Sequence, residues 1–133
     1  MSRQYRGYKD LKVYNLAYKL AMEIFEETRH FPKEERFSLT DQIRRSSRSI
    51  LANIAEARKK RYYPKMFISK IIDAAGEGGE TEVWLDISKD AGYLTVEKHK
   101  YFTSGYDEVN RMFYGMVDKS EKFVGNNRNA KQE

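Results

Sequence analysis

Apolar residues in this chain of 133 residues recur every three or four positions, over long stretches interrupted by only two prolines, Pro32 and Pro64. That interval is the period of an amphipathic α-helix, whereas a half-buried strand alternates at every second residue. No segment carries a convincing strand pattern. The sequence therefore predicts an all-α, up-and-down four-helix bundle over residues 8–123, with flexible termini at 1–7 and 124–133.

The expected helices span residues 11–30, 38–61, 64–91 and 95–123. Ser38 and Thr95 are the residues expected to cap the second and fourth helices with their hydroxyl groups. Pro64 suits the first turn of the third helix, and Gly92 suits its end, where a left-handed residue commonly terminates a helix.

Small residues inside the predicted helices indicate where helices approach each other. Gly76, Gly78 and Gly79 lie inside the third helix, where each costs about 1 kcal/mol relative to alanine. Close approach of a neighbouring backbone is the simplest compensation. Further candidates for close helix contact lie in the second and fourth helices: Ser46, Ser47, Gly105 and Gly115.

Catalytic and metal chemistry find little support in the sequence. The absence of Cys excludes disulfides, thiolate zinc sites and a Cys nucleophile. A di-iron bundle needs two Glu-x-x-His motifs, and only Glu27 with His30 has that spacing. No nucleotide-binding loop or nucleophile elbow occurs. We expect no enzyme, no metal and no cofactor.

The chain also lacks targeting and membrane signals. No apolar segment follows the first residues, and nowhere do eighteen uncharged apolar residues run together. We expect a cytoplasmic protein that does not enter a membrane. Its formal charge of +5 and pI near 9.3 favour polyanionic partners only weakly.

The strongest functional signal is a basic stretch in the second predicted helix. With Ile43 placed at zero and about 100° per residue, most of its cations lie at roughly 100–200°, away from the apolar stripe. The basic stretch, residues 44–61, contains only one acid, Glu56. By contrast, residues 70–90 carry six acids and two lysines. The seven cations are Arg44, Arg45, Arg48, Arg58, Lys59, Lys60 and Arg61.

Three interpretations of these cations remain open. They can bind a phosphate backbone, because Ala52 and Ala55 between longer side chains leave a shallow groove. They can pair with the acidic third helix of a neighbouring subunit, or they can form a solvated face. Tyr62 and Tyr63 adjoin the stretch and could stack on unpaired bases, although packing is the commoner role of such residues.

Four polar or aromatic residues are candidates for structural or interface roles: Asn53, Glu56, Glu80 and Trp84. Asn53 lies on the shoulder of the apolar stripe, where its amide could satisfy a buried polar group or fix the register of two helices. Trp84, beside Glu80, is expected to mark a packed interface edge.

Five blocks of the sequence together resemble those of a known protein family. They are Gln42-Ile43-Arg44-Arg45-Ser46, Ser49-Ile50, Asn53-Ile54-Ala55-Glu56, Glu80-Thr81-Glu82-Val83-Trp84-Leu85 and Gly92-Tyr93-Leu94. Across residues 8–122 the chain resembles the small four-helix bundle proteins encoded in intervening sequences of bacterial 23S rRNA genes. Family members usually have Gly after the Asn-Ile-Ala-Glu block. Ala57 stands there, which predicts continued helix instead of a turn.

This resemblance implies a homopentameric ring of left-handed bundles without known enzymatic activity and with a suspected association with RNA. The related accessory variability proteins of diversity-generating retroelements share the bundle and the ring, and they bind a reverse transcriptase together with nucleic acid. By position, the resemblance makes Arg44, Arg45 and Arg48 the phosphate contacts. On the basis of charge alone, we extend the set of phosphate contacts to Lys59, Lys60 and Arg61.

Together these observations predict a non-enzymatic, ring-forming bundle that binds RNA or another nucleic acid through the basic surface of its second helix, without base-specific readout. The alternative is an oligomeric interaction scaffold, for example a reverse-transcriptase accessory protein, whose cations mediate contacts between subunits or with a protein partner.

Overall fold

Four α-helices pack side by side in chain order in the computed structural model, which describes residues 7–125. Each helix contacts its neighbours in sequence, and the first also contacts the fourth, which closes the bundle. The described part of the chain contains no strand, and the predicted all-α four-helix bundle is confirmed. The helices are α1 (Lys12–Thr28), α2 (Leu39–Lys59), α3 (Pro64–Asp90) and α4 (Val96–Asp118).

Short 3-10 turns extend both ends of the bundle. Helix α4 ends at Asp118, earlier than predicted, because Lys119 leaves the helical conformation with φ −118° and ψ 41°. The chain then folds back, and the N–H of Gly125 donates to the carbonyl oxygen of Arg61 at 2.8 Å. The termini predicted to be flexible lie outside the described residues, except at positions 7, 124 and 125.

Most of the predicted helix ends are confirmed. Thr95 Oγ1 accepts a hydrogen bond from the Lys98 N–H at 3.1 Å, which caps α4. Gly92 has φ 84°, in the left-handed region that favours glycine. Pro64 is the first residue of α3, and α2 continues through Ala57 without a turn.

The predicted cap at Ser38 was wrong. Its hydroxyl donates to Glu35 Oε1 at 2.6 Å and does not bind the first turn of α2. The same carboxylate oxygen accepts the N–H of Leu39 at 3.4 Å. A negative carboxylate suits the positive end of a helix dipole better than a hydroxyl does, so the preceding 3-10 turn, Lys33–Glu35, supplies the contact.

A single apolar cluster formed by all four helices fills the bundle. Helix α2 contributes the predicted stripe, with Ile43, Ile50 and Ile54 at most 1% exposed. Between α2 and α3, the buried hydroxyl oxygens of Ser46 and Thr81 lie 2.8 Å apart and form a hydrogen bond. Within residues 7–125, no helix has both the length and the apolar character needed to cross a membrane.

We predicted close approach of a neighbouring backbone at the glycines of α3, and this prediction was wrong. At Gly78 a methyl group would lie 3.2 Å from Asn110 Oδ1, so a side chain of α4 occupies the space. Gly76 and Gly79 have no other atom within 4 Å of that position. Their surroundings within the single chain therefore leave room for a larger residue.

Two glycines of α4 make a matched test of packing. A methyl group on Gly105 would lie 2.7 Å from Leu20 Cδ2, and Leu20 is buried, whereas one on Gly115 would meet nothing. We expect Gly105→Ala to lower the free energy of unfolding by about 1–3 kcal/mol through overpacking. Gly115→Ala should raise it by about 0.5–1 kcal/mol through helix propensity. Urea denaturation of both variants measures this, and effects of the same sign would contradict the packing described.

Candidate functional site

Three arginine side chains gather around one aromatic ring where α1 lies beside α2. The guanidinium carbons of Arg44, Arg29 and Arg48 lie 4.7, 5.2 and 5.6 Å from the centre of the Phe25 ring. The negative face of an aromatic ring attracts cations at this range. Phe25 therefore holds three like charges together that would otherwise spread apart.

Arg44 is the most firmly held of the three. Its Nε donates to Thr28 Oγ1 at 2.8 Å, and its Nη2 donates to the carbonyl oxygen of Phe25 at 3.4 Å. Partial burial, followed by the charges of Arg48 and Arg29, lowers the pKa of Arg44. Each cause disfavours the charged form, whereas an anion placed beside Arg44 would favour it.

The arginines of the first half of α2 have no close carboxylate. In the described part of the chain, no Asp or Glu oxygen lies within 4 Å of the guanidinium nitrogens of Arg44, Arg45 or Arg48. Glu77 on α3 interacts electrostatically with one of them, Arg45. Burial and Glu80 raise the pKa of Glu77, while the charge of Arg45 acts in the opposite direction. This end of α2 therefore keeps an excess of positive charge.

These arginines line a shallow groove, which we call the basic groove. Its outer end is formed by the turn before α2, where Phe37 is 85% exposed and the guanidinium of Arg36 lies 5.1 Å from its ring centre. One carboxylate, that of Asp41, also lines it. The lining residues are Arg36, Phe37, Thr40, Asp41, Arg44, Arg45 and Arg48.

Sequence reasoning missed four members of this site: Phe25, Arg29, Arg36 and Phe37. Phe25 belongs to the predicted first helix, and its contact with the arginines runs across the α1–α2 packing. The exposure of Phe37 could have been predicted from its position between two helices, outside any apolar stripe.

The second half of the basic stretch lies elsewhere. Arg58 lies about 21 Å from Arg44 along the helix axis. It lines a hollow with Phe67 and Phe123 at the far end of the bundle. Burial, followed by the charge of Arg61, lowers the pKa of Arg58. Arg61 packs over the Tyr62 ring at 4.4 Å and donates to its hydroxyl at 3.0 Å. The expected single outer face is therefore divided into two regions.

The remaining members of the far region differ in exposure. Lys59 is exposed at the last position of α2, whereas Lys60 is half-buried. Tyr62 is engaged by Arg61, and Tyr63 precedes the first residue of α3. Neither tyrosine lies in the basic groove.

Asn53 and Glu56 both contact Lys70 and so connect α2 with α3. Lys70 Nζ lies 2.9 Å from Glu56 Oε2 and donates to Asn53 Oδ1 at 3.4 Å. The Asn53 amide also donates to the carbonyl oxygen of Ser49 at 3.0 Å. The hydrogen bond and charge of Lys70 lower the pKa of Glu56.

Trp84 and Glu80 lie on α3, where the indole Nε1 donates to Glu80 Oε1 at 3.3 Å. The Trp84 ring is half-buried against the core cluster. Nearby, burial and the carboxylate of Asp107 raise the pKa of Glu82.

Within residues 7–125, no three His, Asp or Glu side chains form a group able to hold a metal ion. Glu27 pairs with Lys98 at 2.9 Å, and His30 is exposed at the helix end. His99 Nε2 lies 2.7 Å from Asp86 Oδ1.

Comparisons with known proteins agree with this architecture. A family model described as 23S rRNA-intervening sequence protein matches residues 9–115. A crystal structure from Bacteroides thetaiotaomicron VPI-5482 is 29% identical with a TM-score of 0.73, covering 80% of this chain and 96% of its own. It is described as a protein of unknown function from the S23 ribosomal protein family. No curated protein sequence matches.

Glu35 fixes the turn that presents Arg36 and Phe37. The hydrogen bonds from Ser38 and Tyr93 lower its pKa. Such a carboxyl group stabilises the fold above its unfolded pKa, and that contribution is lost as the pH falls through the folded pKa.

We therefore expect Glu35→Gln to lower the melting temperature at pH 7, and we expect the difference from the wild type to shrink below about pH 4. Circular dichroism across a pH series measures this. Glu34→Gln, at an exposed neighbouring position, is the control and should change little. Parallel wild-type and Glu35→Gln curves at all pH values would contradict the assignment.

Proposed function

This chain belongs to the family of 23S rRNA-intervening sequence proteins, and from that premise we propose that it binds RNA or another nucleic acid through the basic groove. Binding takes place in the cytoplasm, without base-specific readout and without catalysis. The protein acts as a ring of identical subunits, and five is the number that the family resemblance implies.

The supporting observation is the organisation of Arg44, Arg45 and Arg48. They carry three charges on the first half of α2 with no described carboxylate within 4 Å. Two of them are positioned against the Phe25 ring. An arginine that is already ordered loses less side-chain entropy when it binds phosphate, so the arrangement favours anion binding.

The proposal includes no base-specific readout, because it assigns the arginines of the basic groove to phosphate oxygens. Phosphate contacts position a protein without specifying sequence. Helix α2, which carries these arginines, is packed against both α1 and α3, and its apolar stripe is buried. Arginine also stays protonated at neutral pH, so the groove binds anions without proton transfer.

Assembly into a ring is supported by a second apolar face on α3. Ile72, Val83 and Ile87 are 56%, 51% and 44% exposed. With Gly76 and Gly79 they lie within an arc of about 80°, opposite the buried face of the helix. A helix that is apolar on both sides packs on both sides. The open space at the two glycines would let a neighbouring helix approach closely.

A second candidate function is an interaction scaffold, and the acids beside this face favour it. Asp73, Glu80 and Asp86 are exposed on α3. In this alternative the α2 arginines pair with carboxylates of the next subunit, or of a protein partner such as a reverse transcriptase, and no nucleic acid is bound.

Substitution of the three α2 arginines distinguishes the two functions. Each phosphate contact contributes about 0.7–0.9 to the slope of log affinity against log salt. If RNA is the partner, Arg44→Ala, Arg45→Ala and Arg48→Ala together should reduce that slope by about two to three and leave the assembly intact. Fluorescence anisotropy with a labelled RNA at several salt concentrations measures the slope.

The control is Lys19→Ala, Lys100→Ala and Arg111→Ala, which removes equal charge from exposed positions on α1 and α4. It should affect binding much less. If the arginine variant instead dissociates in sedimentation experiments and the wild type binds no RNA, the scaffold function is supported. Binding that is indifferent to salt and to the arginines contradicts the nucleic-acid function.

Charged substitution tests the apolar face of α3. We expect Ile72→Glu with Val83→Glu to produce folded monomers, because both side chains are about half exposed in the single chain and a carboxylate buried at an interface is costly. Sedimentation velocity reports the mass, and circular dichroism reports folding. Val96→Glu, at a position 69% exposed on α4, is the control. An unchanged assembly would exclude this face as the subunit contact.

A further inference from the structure

Phe37 is the most exposed of the large apolar side chains in the described part of the chain, at 85%. Burying such a side chain usually contributes about 1.5–3 kcal/mol to folding. Phe37 forgoes nearly all of that contribution, so its packing within the chain gives no reason for an aromatic residue there.

The turn that carries Phe37 is held in place on both sides. Before it, the N–H of Arg36 donates to the carbonyl oxygen of Lys33 at 3.0 Å, and after it, the N–H of Ser38 donates to that of Glu35 at 3.0 Å. The Glu35 carboxylate further accepts the Tyr93 hydroxyl at 3.0 Å, which ties the turn to the residues before α4. The exposed ring is thus presented by a fixed turn.

The surroundings of Phe37 are cationic. It shares the basic groove with four arginines, and among the described residues that line this groove only Asp41 carries a carboxylate. Arg44 and Arg48 follow on α2, about 6 Å apart along the helix axis. One side of the ring is approached by Arg36.

From this juxtaposition we infer that the basic groove binds single-stranded nucleic acid, with an unpaired base stacked on Phe37 and the adjoining phosphates on Arg44, Arg45 and Arg48. A cationic groove joined to an exposed aromatic ring is the arrangement that binds single strands, because every base has a face that can stack. Bases inside a duplex are already stacked and cannot reach the ring. The inference rests on the proposed function and narrows its ligand to unpaired strands.

The test compares two labelled probes, a 12-nucleotide uridine-rich RNA strand and a 12-base-pair RNA duplex. Phe37→Ala should weaken binding of the single strand roughly 5- to 150-fold, the range for loss of one stacked base. It should leave duplex affinity and the salt slope nearly unchanged, because the arginines remain. Phe37→Trp should restore binding. Tyr114→Ala removes an aromatic side chain that is 67% exposed on α4 and serves as the control.

Each outcome decides the inference. Equal single-strand binding by Phe37→Ala and wild type overturns it, and the proposed function survives if the triple arginine variant still loses affinity. Equal losses for strand and duplex also overturn it. A changed mass in sedimentation assigns Phe37 to a subunit contact and overturns it as well. Failure of the wild type to bind either probe overturns both the inference and the proposed function.

Discussion

Burial of the apolar stripe of α2 is the constraint on which the other features depend. Ile43, Ile50 and Ile54 are almost inaccessible, and each such side chain stabilises the fold by about 1.5–3 kcal/mol. Two unit charges 4 Å apart in water repel by only about 1 kcal/mol. Packing of the apolar stripe therefore sets the rotation of α2 about its axis. The arginines between the stripe residues remain close together on the outer side despite their mutual repulsion. The contacts that Phe25 and Thr28 make with Arg44 offset part of that repulsion.

The two halves of the basic stretch lie in different environments. At the start of α2 the cations meet an aromatic ring, a hydroxyl and solvent, which leaves their charge available to an anion. At its end, Arg58 and Arg61 are half-buried among aromatic residues, where the aliphatic parts of long cationic side chains cover apolar surface. Both regions are rich in cations, yet different neighbouring elements surround them.

Much of the fold and only part of the site could be predicted. Helix number, the Thr95 cap and the Gly92 terminator depend on residues close in sequence, so pattern was sufficient. The Ser38 cap failed because the 3-10 turn before it brings in the Glu35 carboxylate. The role of Gly78 was misjudged for a similar reason, since the atom facing it belongs to Asn110 of another helix. Phe25 escaped notice because its partners lie across a helix contact.

The sequence by itself determined that this chain forms four helices, which side of α2 is buried and that three arginines project from the opposite side, because the helical period relates neighbouring residues directly. Only the tertiary structure decided that Phe25 gathers those arginines, that Phe37 stands exposed at the end of their groove, and that Arg58 is drawn toward the core. These outcomes depend on distances between residues of different helices, and the spacing within any one helix does not contain them.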